Sequence, residues 1–111
     1  MPRVLVVDDE PTIVELLTVF LEDKGYQVLT ASNGDEALCR VKEERPHLIL
    51  LDVRMPRMDG LEVLRRVREI DQEVGIIMVT ALHEEETGRE AFTLGAFDYI
   101  TKPLDFKYLE R

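Results

Sequence analysis

Positive charge is in short supply in this chain: 14 lysines and arginines stand against 23 aspartates and glutamates, a formal net charge of −9. A field of that sign repels phosphate backbones and anionic headgroups, so neither nucleic acid nor a membrane surface is an expected partner. Cysteine occurs once, at Cys39, which excludes an internal disulfide and reads as a spectator thiol. Histidine occurs only at His47 and His83, with no second ligand at suitable spacing, so a zinc site is not expected. Long hydrophobic runs are missing as well. Nothing approaches the roughly 20 apolar residues that cross a bilayer, and Met1 to Val7 carries neither a cationic leader nor a cleavage site. The expected setting is cytoplasmic. What remains is 111 residues, 45% of them hydrophobic, which suits one compact domain with a real core.

Short apolar runs mark strands at Val4 to Val7, Leu48 to Leu51, Ile76 to Val79 and Phe97 to Ile100. A further strand, Tyr26 to Ala31, alternates in a way that suits a sheet edge. Between the strands lie helical stripes. Ile13, Leu16, Leu17, Phe20 and Leu21 share one face, as do Ala37, Leu38 and Val41, and then Leu64, Val67 and Ile70. Pro11 sits at a first helical position, Gly25 and Gly95 follow helical stretches, and Pro46 separates a helix from the next strand. The stretch Glu84 to Leu94 is a weaker helix, because Gly88 lies inside it and few apolar residues face the core. Arg65, Arg66 and Arg68 read as a basic run on a solvated helix face. His47 reads as the residue that leads into a strand, His83 as a loop residue, and Met55, Met58 and Met78 as packing. Alternating strand and helix throughout predicts an α/β fold with a single five-stranded parallel sheet and helices on both faces.

Each of the four apolar runs ends in a chemically distinctive residue: Asp8 and Asp9, Asp52, Thr80, and Lys102 before Pro103. The carboxyl ends of parallel strands share one edge, so these side chains should line one crevice. For Asp8 and Asp52 to meet, the first and third strands must be neighbours, which gives the order 2-1-3-4-5. Three carboxylates together repel one another unless a cation intervenes, and all-oxygen ligands favour a hard ion, Mg2+ above Ca2+. The competing reading makes the same aspartates helix caps and turn residues. Thr80 and Lys102 suit a phosphoryl group arriving at that crevice, and the alternatives are a strand-end hydroxyl bonded to backbone and a lysine paired with a buried aspartate. Asp52 is the natural nucleophile, able to form an acyl phosphate.

In the segments VLVVDDE (4 to 10), LILLDVRMPRMDG (48 to 60), IIMVTA (76 to 81) and GAFDYITKP (95 to 103), the chain resembles the receiver domain of bacterial two-component response regulators over essentially its whole length. The resemblance implies a flavodoxin-like receiver fold over residues 1–111 and a phosphorelay function. Asp52 would accept phosphate from a sensor histidine kinase or phosphotransfer protein, and Asp9 would ligate Mg2+ directly. Asp8 would hold the ion partly through water, and the backbone carbonyl of Arg54 would complete the protein ligands. Thr80, the amide of Ala81 and Lys102 would contact the phosphoryl group, with a cis bond between Lys102 and Pro103. Tyr99 would act with Thr80 as a switch that repacks the face formed by the fourth helix, fifth strand and fifth helix, and so controls an effector domain or downstream protein. The domain would not be an enzyme acting on a separate substrate. A helix beginning near Asp105 has only seven residues left, about 10 Å at 1.5 Å per residue, so the fifth helix looks truncated and the chain looks like part of a longer regulator. A homodimer stays open.

Two rivals come from other classes. A metal-dependent phosphohydrolase resembling haloacid dehalogenases would need a second aspartate two residues after the nucleophile, where this chain has Arg54. A flavodoxin-like mononucleotide-binding module would need a phosphate cradle rich in glycine, serine or threonine, where this chain has Asp8-Asp9-Glu10-Pro11.

Overall fold

The computed structural model describes residues 2–52, 55, 58–80 and 98–101, with backbone alone at 80 and 98–101. Its strands are β1 (Arg3–Val7), β2 (Gln27–Ala31), β3 (Leu48–Asp52), β4 (Gly75–Thr80) and β5 (Asp98–Thr101), and its helices are α1 (Pro11–Asp23), α2 (Gly34–Glu44) and α3 (Gly60–Ile70). The strands pair in parallel in the order β2-β1-β3-β4-β5.

Strand alternation divides the core into two layers. Leu5, Val7, Ile49, Leu51, Ile76 and Met78 join Ala37 and Val41 of α2 and Val63, Leu64 and Val67 of α3 on one side of the sheet. Val4, Val6 and Leu50 join Leu17 and Leu21 of α1 on the other. Removing such a side chain from water stabilises the fold by about 1.5–3 kcal/mol each, so the sheet is held from both faces.

The apolar face of α1 differs from the expected one. Leu17 and Leu21 are buried, and Ile13 and Val14 pack against them, but Leu16 is 50% exposed. This helix carries more apolar residues than the sheet can cover. Its start has Pro11 at the first helical position, where the missing N–H costs nothing. At its end Gly25 takes a φ of 92°, a left-handed turn that brings the Tyr26 N–H back to the Leu21 carbonyl at 3.1 Å.

Side chains cap the other two helices. Asn33 Oδ1 accepts the Glu36 N–H at 2.8 Å, and Asp59 Oδ1 accepts the Glu62 N–H at 3.0 Å. The last carbonyls of α2 are held from the first strand: Arg3 donates through Nε to the Glu44 carbonyl and through Nη2 to that of Arg45, both at 2.9 Å. Arg45 itself has a φ of 48°, an uncommon left-handed position for a residue other than glycine. His47 leads into β3 as expected. Its Nδ1 accepts the Arg3 N–H at 3.0 Å, which extends the pairing of β1 with β3 by one bond.

The three arginines of α3 are not one solvated run. Arg65 and Arg66 both pair with Glu62, and Arg65 also reaches Glu69 at 2.8 Å. The hydrogen bonds from Arg65 and then Arg66 hold the Glu62 carboxyl at about 2, well below its ordinary value. Arg68 instead turns inward, where its Nη1 donates to the Val74 carbonyl at 2.7 Å and closes the turn from α3 to β4.

Candidate functional site

The site begins with the register. Val7 pairs with Ala31 on one side and Leu51 on the other, so Asp8 and Asp52 stand one step further along at the same edge. Asp52, the last residue of β3, lies opposite Val79. Alternation then fixes the face: Val4, Val6 and Leu50 point toward α1, and Asp8 and Asp52 continue that parity. Both carboxylates are buried, Asp8 at 3% and Asp52 at 4% exposure, while Asp9 is exposed.

One carboxylate oxygen from each of Asp8, Asp9 and Asp52 lies within 4.8 Å of the others. Two like charges at that separation cost roughly 3 kcal/mol at an effective dielectric near 20, and the burial of two of the three raises the cost. The donor set is entirely carboxylate oxygen, with no nitrogen or sulfur. It therefore fits a hard divalent cation that retains waters, the coordination habit of Mg2+.

The capping interpretation of Asp8 holds at the same time. Its Oδ1 accepts the Glu10 N–H at 2.9 Å, an Asx turn that leads the chain into α1, and its N–H donates to the Ala31 carbonyl at 3.2 Å. These two bonds pin the residue from both ends. Asn in its place keeps Oδ1 as an acceptor and removes one of the three charges. In the presence of a chelator, Asp8→Asn is expected to be more stable than wild type by about 2 kcal/mol in urea unfolding. Added Mg2+ should stabilise the wild type by about 2.7 kcal/mol at a hundredfold excess over its dissociation constant, and the variant by much less. An Asp8→Asn protein less stable than wild type in chelator would show that the trio is not under electrostatic strain.

Thr80 ends β4 and lies opposite Thr101 of β5, at the same sheet edge as Asp52. Tyr99 lies in β5 opposite Met78. The side chains of Thr80 and Tyr99 lie outside the described residues, as do Arg54, Ala81, Lys102, Pro103, the stretch 84–94 and the final helix. Met58 is a contact that sequence reasoning treated only as packing. It lies beside Gly34 of α2 and packs against the core layer shared by α2 and α3. A glycine at the first position of a helix that already has an asparagine cap is the signal that marks it.

Known proteins share this sequence pattern and this fold. A family model described as the response regulator receiver domain matches residues 4–111. The chain is 48% identical over 101 residues to the alkaline phosphatase synthesis transcriptional regulatory protein PhoP of Bacillus subtilis, covering 91% of this chain and 42% of that protein. It is 42% identical over 103 residues to sporulation initiation phosphotransferase F of Bacillus subtilis, covering 93% of this chain and 83% of the relative. The chain thus spans less than half of one of these relatives and most of the other. Among solved structures, the Vibrio cholerae chemotaxis protein CheY4 superposes with a TM-score of 0.91 at 36% identity, covering 100% of this chain and 98% of that one. A response regulator from Chloroflexus aurantiacus superposes with a TM-score of 0.93 at 34% identity, over 99% of this chain and 93% of that one. On sequence and on fold alike, this chain belongs to the response regulator receiver domain family, with its flavodoxin-like parallel sheet.

Proposed function

We propose that the chain is a phosphorelay receiver in which Asp52 is the phosphoacceptor. The observation that carries this reading is the meeting of Asp8, Asp9 and Asp52 at one sheet edge in a chain of this family. A carboxylate oxygen of Asp52 attacks the phosphorus of a phosphohistidine or a small acyl phosphate. The bond from phosphorus to the leaving group breaks with its electron pair, and the product is an aspartyl phosphate that water later hydrolyses.

Asp9 and Asp52 would hold Mg2+ directly, with Asp8 acting partly through water and the Arg54 carbonyl completing the set. When bound, the ion neutralises charge on the transferring phosphoryl oxygens. Thr80, the Ala81 amide and Lys102 would bind those oxygens, and a cis Lys102–Pro103 bond would aim the lysine. Thr80 and Tyr99 would then bias two pre-existing arrangements of the surface near β5, which is the output. The partners are a sensor histidine kinase or phosphotransfer protein on one side and an effector domain or downstream protein on the other. The chain is not an enzyme with a separate substrate, and its setting is the cytoplasm. Among the described residues no helix is long and apolar enough to cross a membrane.

Intact-mass measurement after incubation with Mg2+ and a small acyl phosphate tests the proposal. One phosphoryl group should be added, and excess chelator should prevent it. No added mass, labelling that survives chelation, or sustained turnover of an aryl phosphate monoester would each count against a Mg2+-dependent phosphoacceptor.

A further inference from the structure

Gly34 opens α2 directly after its Asn33 cap and is buried. It does not lie in the left-handed region, so conformational freedom is not what it provides. Its contribution is space. A Cβ built there would lie 2.9 Å from Met58 Sδ, 2.9 Å from Val63 Cγ2 and 3.0 Å from Met58 Cβ. The sulfur could swing aside. Met58 Cβ is one bond from the backbone, however, and Val63 is branched and 0% exposed in α3, so neither yields cheaply.

Met58 is part of the connection between β3 and α3, which starts at Asp52 and ends at the Asp59 cap. Met55, also between β3 and α3, packs on the same core layer. We propose that Gly34 is a positioning residue for the carboxylate site: by letting α2 close onto Met58, six residues after Asp52 in the sequence, it sets the cation affinity of the trio. This inference rests on the cation-binding reading of the preceding section. Groups that hydrogen-bond to metal ligands typically change affinity by 10- to 100-fold, and a residue that acts by packing falls at the lower end of that range.

Calorimetric titration of cation-free protein with Mg2+ alone provides the test. Gly34→Ala is expected to bind about tenfold more weakly than wild type. Leu17→Ala, which empties the α1 side of the core, is expected to lose stability and keep wild-type affinity. Met58→Ala alone should also weaken binding, because it removes the side chain that packs beside Gly34. If Gly34→Ala does not fold, Met58→Ala against Leu17→Ala carries the comparison. Unchanged affinity in folded Gly34→Ala or in Met58→Ala, or equal weakening in Leu17→Ala, overturns the inference. Wild-type protein that takes up no Mg2+, or no more than Asp52→Asn, overturns the cation-binding reading itself and the inference with it.

Discussion

Asp52→Asn is expected to take up no phosphoryl group from a small acyl phosphate under conditions that label the wild type once. An amide oxygen carries no full negative charge and does not yield a stable acyl phosphate, so the substitution removes the nucleophile while keeping the shape of the side chain. The informative feature of this variant is its neighbours. Asp8 and Asp9 offer carboxylate oxygens within 4.8 Å of the lost one, so a site that merely concentrated acyl phosphate near any acid would still be labelled. Asp8 is a poor substitute, because its Oδ1 is held by the Glu10 N–H and burial limits its movement. Peptide mapping of the treated variant decides the matter. Phosphate on the peptide that carries Asp8 and Asp9 would mean that position 52 is not the privileged acceptor.

Leu5→Ala is expected to lower the unfolding free energy by about 3–4 kcal/mol, a large part of the 5–15 kcal/mol that typically holds a domain together. Leu5 is 0% exposed in β1, with β2 and β3 paired on either side, and it belongs to the layer shared with α2 and α3. A cavity there is walled by β-sheet backbone that collapses poorly. Leu16→Ala, the same chemical change on the outer side of α1, should cost less than about 1 kcal/mol because that residue is half exposed. Urea unfolding with matched slopes separates the two. Comparable losses would mean that Leu16 faces the core after all.

Those two leucines also show what the amino-acid order made legible. Strand positions were readable because short apolar runs ended in polar residues, and β1 had to adjoin β3 for Asp8 and Asp52 to meet. The buried arc of α1 was not readable. Ile13, Val14, Leu17 and Leu21 form one helical stripe, Ile13, Leu16, Leu17, Phe20 and Leu21 form another, and only the sheet selects between them. Arg68 was misjudged for a related reason, since its partner is a backbone carbonyl, which no pattern of side chains reveals. The same applies to Arg3, whose acceptors Glu44 and Arg45 lie more than 40 residues along the chain. At the site, the carboxylate trio was legible because charge at strand ends has a single plausible meeting place. The role of Gly34 was not, because a clash that only an added methyl group would cause leaves no trace in composition or periodicity.

The parity that carries Asp8 and Asp52 to the α1 side of the sheet also limits how such a protein can change over evolutionary time. An insertion or deletion of one residue within β1 or β3 would turn the terminal acid to the opposite layer, among aliphatic side chains, and dismantle the trio in one step. Lineages that lengthen or shorten these strands should therefore do so two residues at a time, leaving an arithmetic signature that can be sought without assaying any descendant.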